Sequence, residues 1–178
     1  DLHSFPTRRS SDLLSTIGRQ LPYKRYDLAV KAATKLNKKL IVFGNGPAHD
    51  QLVKLAGPTV EFRTDRFGDA SDAEYEKAIT TARGFIYPAE EDFGIVSVEA
   101  LAAGAPVIGL ARGGTTDIVT SPDIGTLFHH QTVDDVVKAV EIAEQTSFHP
   151  SKLARTAKRF DKGLFLTKIK KVVRDSIS

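Results

Sequence analysis

The chain has 178 residues, 41% hydrophobic and 26% charged, which is enough apolar material for one packed core and too much for a disordered segment. A formal net charge of +3, spread along the chain, excludes a dedicated nucleic-acid surface, and the absence of cysteine excludes disulfide and thiol chemistry. No apolar run is long enough to cross a bilayer as a helix.

The first residues stand apart. His3 to Leu13 is polar and charged at its centre, with neither hydrophobic periodicity nor a signal-peptide layout, and it resembles the translation of a sequencing-library adaptor. Residues 1–13 are therefore expected to be an artefactual tail, and setting them aside leaves the net charge unchanged, since Arg8 and Arg9 balance Asp1 and Asp12. From Leu14 the pattern alternates. A strand is expected over Leu14–Gly18, a helix over Tyr23–Leu36, a strand over Leu40–Phe43, a helix from about Ala48 to Ala56 and a strand over Thr59–Arg63. Ser71-Asp72-Ala73-Glu74 is a capping box that opens a helix to about Arg83.

Gly84–Tyr87 reads as a short buried strand stopped by Pro88, and Phe93-Gly94 opens a helix that ends at Gly104 with Pro106 beyond. A strand over Pro106–Leu110, a helical turn near Thr115–Val119 and a strand over Gly125–Phe128 follow. Thr132 to Asp135 caps a helix reaching Gln145, and helices over about Pro150–Phe160 and Gly163–Ser176 finish the chain. Strands alternating with helices predict an α/β fold, a Rossmann-like parallel sheet covered by helices on both faces. Ligands of such sheets sit beyond the carboxyl ends of the strands. Those ends here are Gly18-Arg19, Gly44 to Gly46, Tyr87 to Glu91 and Ala111 to Gly114.

The segment Glu91 to Glu99 carries the most chemistry. It sets two carboxylates eight residues apart across a strand-to-helix junction. The free amides of the helix's first turn, with the positive end of its dipole, make a seat for phosphate. An acid on each side of that seat can accept hydrogen bonds from hydroxyls flanking a bound diphosphate, which is the chemistry of holding a nucleotide sugar. Gly44-Asn45-Gly46-Pro47 by itself is only a turn common to Rossmann-like sheets, because His49 stands where a dinucleotide fingerprint needs its third glycine. The five histidines (His3, His49, His129, His130, His149) show no shared arrangement and are expected to be solvated or structural.

Taken together, Gly18-Arg19 with Pro22-Tyr23-Lys24-Arg25, then Gly44 to Pro47, then Glu91 to Glu99, then Arg112-Gly113-Gly114 occur in an order that resembles the C-terminal, donor-binding domain of family 4 glycosyltransferases, retaining enzymes of the two-domain GT-B architecture. The resemblance spans about Ile17 to Phe165, and Glu90 to Ile95 is similar to mannosyltransferase-like members that use GDP-mannose, with UDP-hexoses also open. It implies that Arg19 and Lys24 neutralise the donor diphosphate, and that Glu91 contacts the donor sugar. It implies further that the amides of Gly94, Ile95 and Val96 meet the distal phosphate and that Glu99 holds the ribose hydroxyls. Gly44, Gly46, Arg63, Phe93, Gly113 and Gly114 complete the expected binding set, although Arg63 to Gly68 departs from the family pattern at the base pocket. Transfer would run without metal or other cofactor, as the lack of an Asp-x-Asp triplet fits.

The expectation is thus a nucleotide-sugar-binding domain over residues 14–178, without an N-terminal acceptor domain and so with little or no transfer on its own. In the full-length enzyme the acceptor would be a sugar or a lipid-linked molecule. A cytoplasmic location is expected, with the mild basic cluster from Lys152 to Lys171 read either as a solvated face or as a preference for the inner membrane surface, and no nucleic-acid partner. A sugar-nucleotide epimerase of the same fold and a non-catalytic nucleotide-binding or partner-docking domain stay open as alternatives.

Overall fold

Six runs of four or five residues, each bounded by glycine, proline or a polar turn, form the strands. The computed structural model describes residues 13–64 and 72–177. The strands are β1 (Leu13–Ile17), β2 (Lys39–Phe43), β3 (Val60–Arg63), β4 (Gly84–Tyr87), β5 (Val107–Leu110) and β6 (Gly125–Phe128). They make one sheet in the order β3-β2-β1-β4-β5-β6, with every pairing parallel. Leu14 of β1 pairs with Leu40 on one side and Gly84 on the other.

Every strand in the middle of the sheet is buried on both faces, and its alternate residues feed two cores. Leu14, Leu40, Val42, Ile86 and Ile108 pack with α1 (Tyr26–Lys35), α2 (His49–Leu55) and α6 (Val133–Gln145). Ile17, Phe43, Phe85, Tyr87 and Val107 pack on the other face with α3 (Asp72–Thr81), α4 (Ile95–Ala102) and α7 (Pro150–Ala157). The chain therefore leaves β1 toward one face through α1 and leaves β4 toward the other through α4. β1 and β4 are neighbours, so a crevice opens between their carboxyl ends, the switch point at which sheets of this order take ligands.

Two elements complete the chain: the short α5 (Thr115–Ile118) and α8 (Lys162–Ser176). α8 is exposed along its whole length, including Phe165, Val172 and Val173. Among the described residues no helix is long and apolar enough to cross a membrane.

The elements follow the sequence pattern with local shifts. β1 begins at Leu13, one residue before the expected start, where Leu13 pairs with Lys39. The helix expected from Tyr23 is instead a 3-10 turn, Pro22–Lys24, followed by a fresh start at Tyr26. Pro22 suits the first position of such a turn, and Arg25 (φ 55°) then halts it in the left-handed region while its amide bonds Pro22 O. The helix expected to reach Phe160 ends at Ala157 and tightens into a 3-10 turn, Lys158–Phe160. Ser71 of the capping box, the adaptor-like residues 1–12 and positions 65–68 of the altered base-pocket segment lie outside the described residues.

Candidate functional site

The loops after β1 and β2 are fastened to each other. Gln20, fully buried, donates from Nε2 to Gly44 O (2.6 Å) and takes His49 Nδ1 at 2.9 Å on Oε1. Its backbone amide donates to Asn45 O (2.9 Å), and its carbonyl accepts from Ala48 N (3.0 Å). A side chain at Gly46 would place Cβ 2.7 Å from the Gln20 amide, so only glycine lets the two loops lie this close. His49 is thus structural, with its ring set edge-on to Phe62 at 5.3 Å, and the exposed His130 pairs with Asp135 at 2.8 Å.

The 3-10 turn after Gln20 delivers Tyr23 and Lys24 to the β1/β4 crevice. Lys24 Nζ lies 2.8 Å from Glu91 Oε1, with both side chains largely buried. Tyr23 donates to the same oxygen at 3.2 Å, while Tyr87, the last residue of β4 and fully buried, donates to Oε2. Burial alone would raise the Glu91 carboxyl, but the hydrogen bonds from Lys24, Tyr87 and Tyr23 and the charge of Lys24 outweigh it and hold the group below the usual carboxylate range. The Tyr87 phenol is pushed up by burial and then by Glu91, and Tyr26, whose hydroxyl donates to Ile17 O at 2.7 Å, is raised for the same two reasons.

The loop that carries Glu91 is held from the far side. Gly114 N donates to Glu91 O at 2.8 Å, and a Cβ at Gly113 would come 2.3 Å from that oxygen. At Gly114 it would meet Phe93 O at 2.4 Å. The Arg112-Gly113-Gly114 block therefore props the backbone of Glu91 to Phe93, while Arg112 approaches Glu90 at 3.6 Å on the surface.

Gly94 (φ 77°) turns the chain into α4, and a Cβ there would meet the Tyr87 ring at 3.0 Å. Among the described residues no side chain caps α4, and the amides of Gly94, Ile95 and Val96 make none of the loop hydrogen bonds, so this helix start is open to an anion. A cavity of about 460 Å³ opens over it, lined by Tyr23, Glu91, Asp92, Phe93, Gly94 and Ile95. Phe93 and Ile95 are exposed on its wall.

The predicted residues divide by place. Lys24, Glu91, Phe93, Gly94 and Ile95 are brought together, and Val96 follows in the same helical turn. Glu99 is exposed one turn beyond Ile95 on the same face of α4, and Arg19 is exposed at the end of β1; neither side chain has a partner among the described residues. Arg63 ends β3, three strands from β4 and so roughly 14 Å away across the sheet, and it pairs with Glu61 at 2.5 Å. Sequence reasoning missed the two phenols on Glu91. Tyr23 stood inside a quoted block and Tyr87 at a strand end four residues before Glu91, but a doubly buried strand gives no sign of which residue aims its polar tip at a site.

Residues 4–160 match the family described as Glycosyl transferases group 1. A D-inositol 3-phosphate glycosyltransferase of Mycobacterium leprae is 31% identical over 138 residues, covering 73% of this chain and 32% of the relative. The chain thus spans about a third of the length of the curated relatives it matches. Among solved structures, the apo lipopolysaccharide outer core galactosyltransferase WaaB superposes with a TM-score of 0.80 at 16% identity, over 96% of this chain and 51% of that one. The catalytic domain of starch synthase IV from Arabidopsis thaliana, bound to ADP and acarbose, gives 0.72 at 18% identity, over 97% of this chain and 40% of that one. At such identities these two structures speak for the GT-B fold alone.

Proposed function

We propose, from the premise that this chain belongs to the glycosyl transferases group 1 family, that it binds a nucleotide-sugar donor in the crevice between β1 and β4. The observation that carries the reading is the uncapped start of α4 beside the paired Lys24 and Glu91. The first-turn amides and Lys24 receive the diphosphate, and Arg19 folds onto it from the β1 side. Glu91 accepts from donor-sugar hydroxyls, and Glu99 accepts from the ribose. Departure of the nucleoside diphosphate leaves negative charge on the diphosphate, and these donors are aimed where that charge builds. No general base is needed for that departure, and the reading takes the reaction to run without a metal ion.

For the whole protein we propose retaining transfer of a hexose from GDP-mannose or a UDP-hexose to an acceptor hydroxyl of a sugar or lipid-linked molecule. Acceptor binding is assigned mainly to sequence that this chain does not contain, so the chain alone is expected to bind donor with little or no transfer. Contact with an inner membrane surface through Lys152 to Lys171 belongs to the same reading.

Calorimetric titration of the chain with GDP, UDP, ADP and NAD, without added metal, tests the proposal. Binding of one nucleoside diphosphate, weakened in Lys24→Ala, is the expected result. Preference for NAD, or a folded sample that binds none of the four, contradicts it.

A further inference from the structure

Glu91 is held more tightly than binding a sugar hydroxyl requires. An ionised carboxylate offers roughly four acceptor positions, and three are already taken: Lys24 and Tyr23 on Oε1, Tyr87 on Oε2. One of the three donors is charged and two are neutral, and that difference matters once a ligand arrives. A diphosphate seated at the start of α4 competes for Lys24, because a cation shared between a carboxylate and a diphosphate is drawn to the larger charge. Glu91 would then lose its charged partner while a second anion sits beside it. The phenols have no such pull toward the diphosphate.

Packing keeps the Tyr87 phenol where it is, whereas the exposed Tyr23 is placed by the backbone of its 3-10 turn. Tyr87 is fully buried, stacks on Phe85 with ring centroids 6.4 Å apart, and passes beneath Gly94, where even a methyl group would meet its ring. Tyr23 reaches Glu91 from the opposite side, on the 3-10 turn, and its ring is 5.9 Å from the Lys24 ammonium. We propose that Tyr87 and Tyr23 are positioning residues that keep the Glu91 carboxylate fixed and acceptor-only after the diphosphate has taken Lys24, and so make the site select for the sugar half of its ligand. This rests on the donor-site reading above.

Once Lys24 has gone to the diphosphate, the two phenols fill one acceptor position on each oxygen of Glu91 and leave about one on each for the ligand. It can therefore accept from sugar hydroxyls only in the directions the phenols leave open, which is a criterion for one sugar configuration over its epimer rather than for sugars in general. The charged and titratable groups around the carboxylate are Lys24 and Tyr23 from the 3-10 turn, Tyr26 from α1, Tyr87 from β4, and Glu90 and Asp92 beside it, with Arg112 set against Glu90. Lys24 is the cation paired with Glu91 itself.

Tyr87→Phe and Tyr23→Phe keep the rings and remove only the hydroxyls. Two readouts are compared with the unaltered chain: the ¹³C titration of the Glu91 side-chain carboxyl, with and without UDP, and the affinity ratio of UDP-glucose to UDP and of GDP-mannose to GDP. The expected result is a Glu91 midpoint that rises in both variants, more so with UDP bound. The sugar-nucleotide preference should fall about tenfold in Tyr87→Phe while affinity for the free diphosphate holds, since a hydrogen bond to a charged group is lost. A Glu91 titration unmoved by Tyr87→Phe overturns the proposal, whatever binds. Equal loss for the sugar nucleotide and the free diphosphate also overturns it, because that is the signature of a packing role. If the unaltered chain binds none of these nucleotides, the donor-site reading fails, and the carboxyl titration still decides the clamp.

Discussion

Lys24 and Glu91 are one cation and one carboxylate that the sequence singles out, and Arg19 and Glu99 are another two, yet the fold treats them differently. Lys24 and Glu91 are largely buried, 2.8 Å apart, and supported by two phenols. Arg19 and Glu99 are exposed and without side-chain partners among the described residues. The first pair is organised before any ligand arrives. On the proposed reading the second would surrender side-chain freedom on binding, at about 0.5–1.5 kcal/mol for each long side chain. On the proposed donor-site reading, selectivity is concentrated where the loops are locked by Gly46, Gly113 and Gly114, while Arg19 and Glu99 add affinity around it.

Substitutions can break that comparison. Lys24→Ala should have the largest effect, lowering affinity for every nucleoside diphosphate by roughly 10- to 100-fold in calorimetry and leaving Glu91 without its cation. Unchanged affinity would put Lys24 outside the site. Glu91→Ala comes next: about tenfold weaker binding of the sugar nucleotide with little change for the free diphosphate. Equal losses would make Glu91 a structural residue. Arg19→Ala should weaken diphosphate binding several-fold, roughly 1 kcal/mol, without lowering the melting temperature, because nothing in the fold leans on it. Glu99→Ala should have the smallest effect, erasing the preference for a ribonucleotide over its 2′-deoxy analogue while sparing the diphosphate.

The pH response sharpens the same contrast. The folded Glu91 carboxyl lies below its ordinary range, so the Lys24–Glu91 contribution to stability is complete above that range and disappears as pH falls through the lower folded value. Urea midpoints measured from neutral pH downward should show this loss in the unaltered chain. In Tyr87→Phe the loss should be smaller and complete at a higher pH, because one of the bonds that hold the folded carboxyl down is gone.

The strands were legible because short runs such as Leu40 to Phe43 and Gly84 to Tyr87 are apolar and end in glycine, proline or a polar turn. Their order was not, since the pairing of β1 with β4 joins residues 70 apart, Leu14 with Gly84. The corner at Arg25 was hidden as well. The stretch from Tyr23 to Leu36 has a continuous helical pattern, and the left-handed residue that breaks it carries no glycine or asparagine signal. Glu91 and the start of α4 were legible in residue type and spacing, whereas Lys24 came only through the family resemblance. The glycines were legible only as glycines. Gly113 and Gly114 suggested a close approach to ligand, and the approach on display is to the backbone of Glu91 and Phe93. The phenols were least legible, because Tyr87 in a doubly buried strand reads as core until the loop above it is in place.

The most direct test of the donor site is amide NMR of the chain as UDP or GDP is added. The account predicts that the largest shifts fall on Gly94, Ile95 and Val96, with a second group around Arg19 to Lys24. Shifts confined elsewhere, for instance to the groove of about 380 Å³ along Val119, Gly125 and Ile142, or no shifts with either nucleotide, would contradict it.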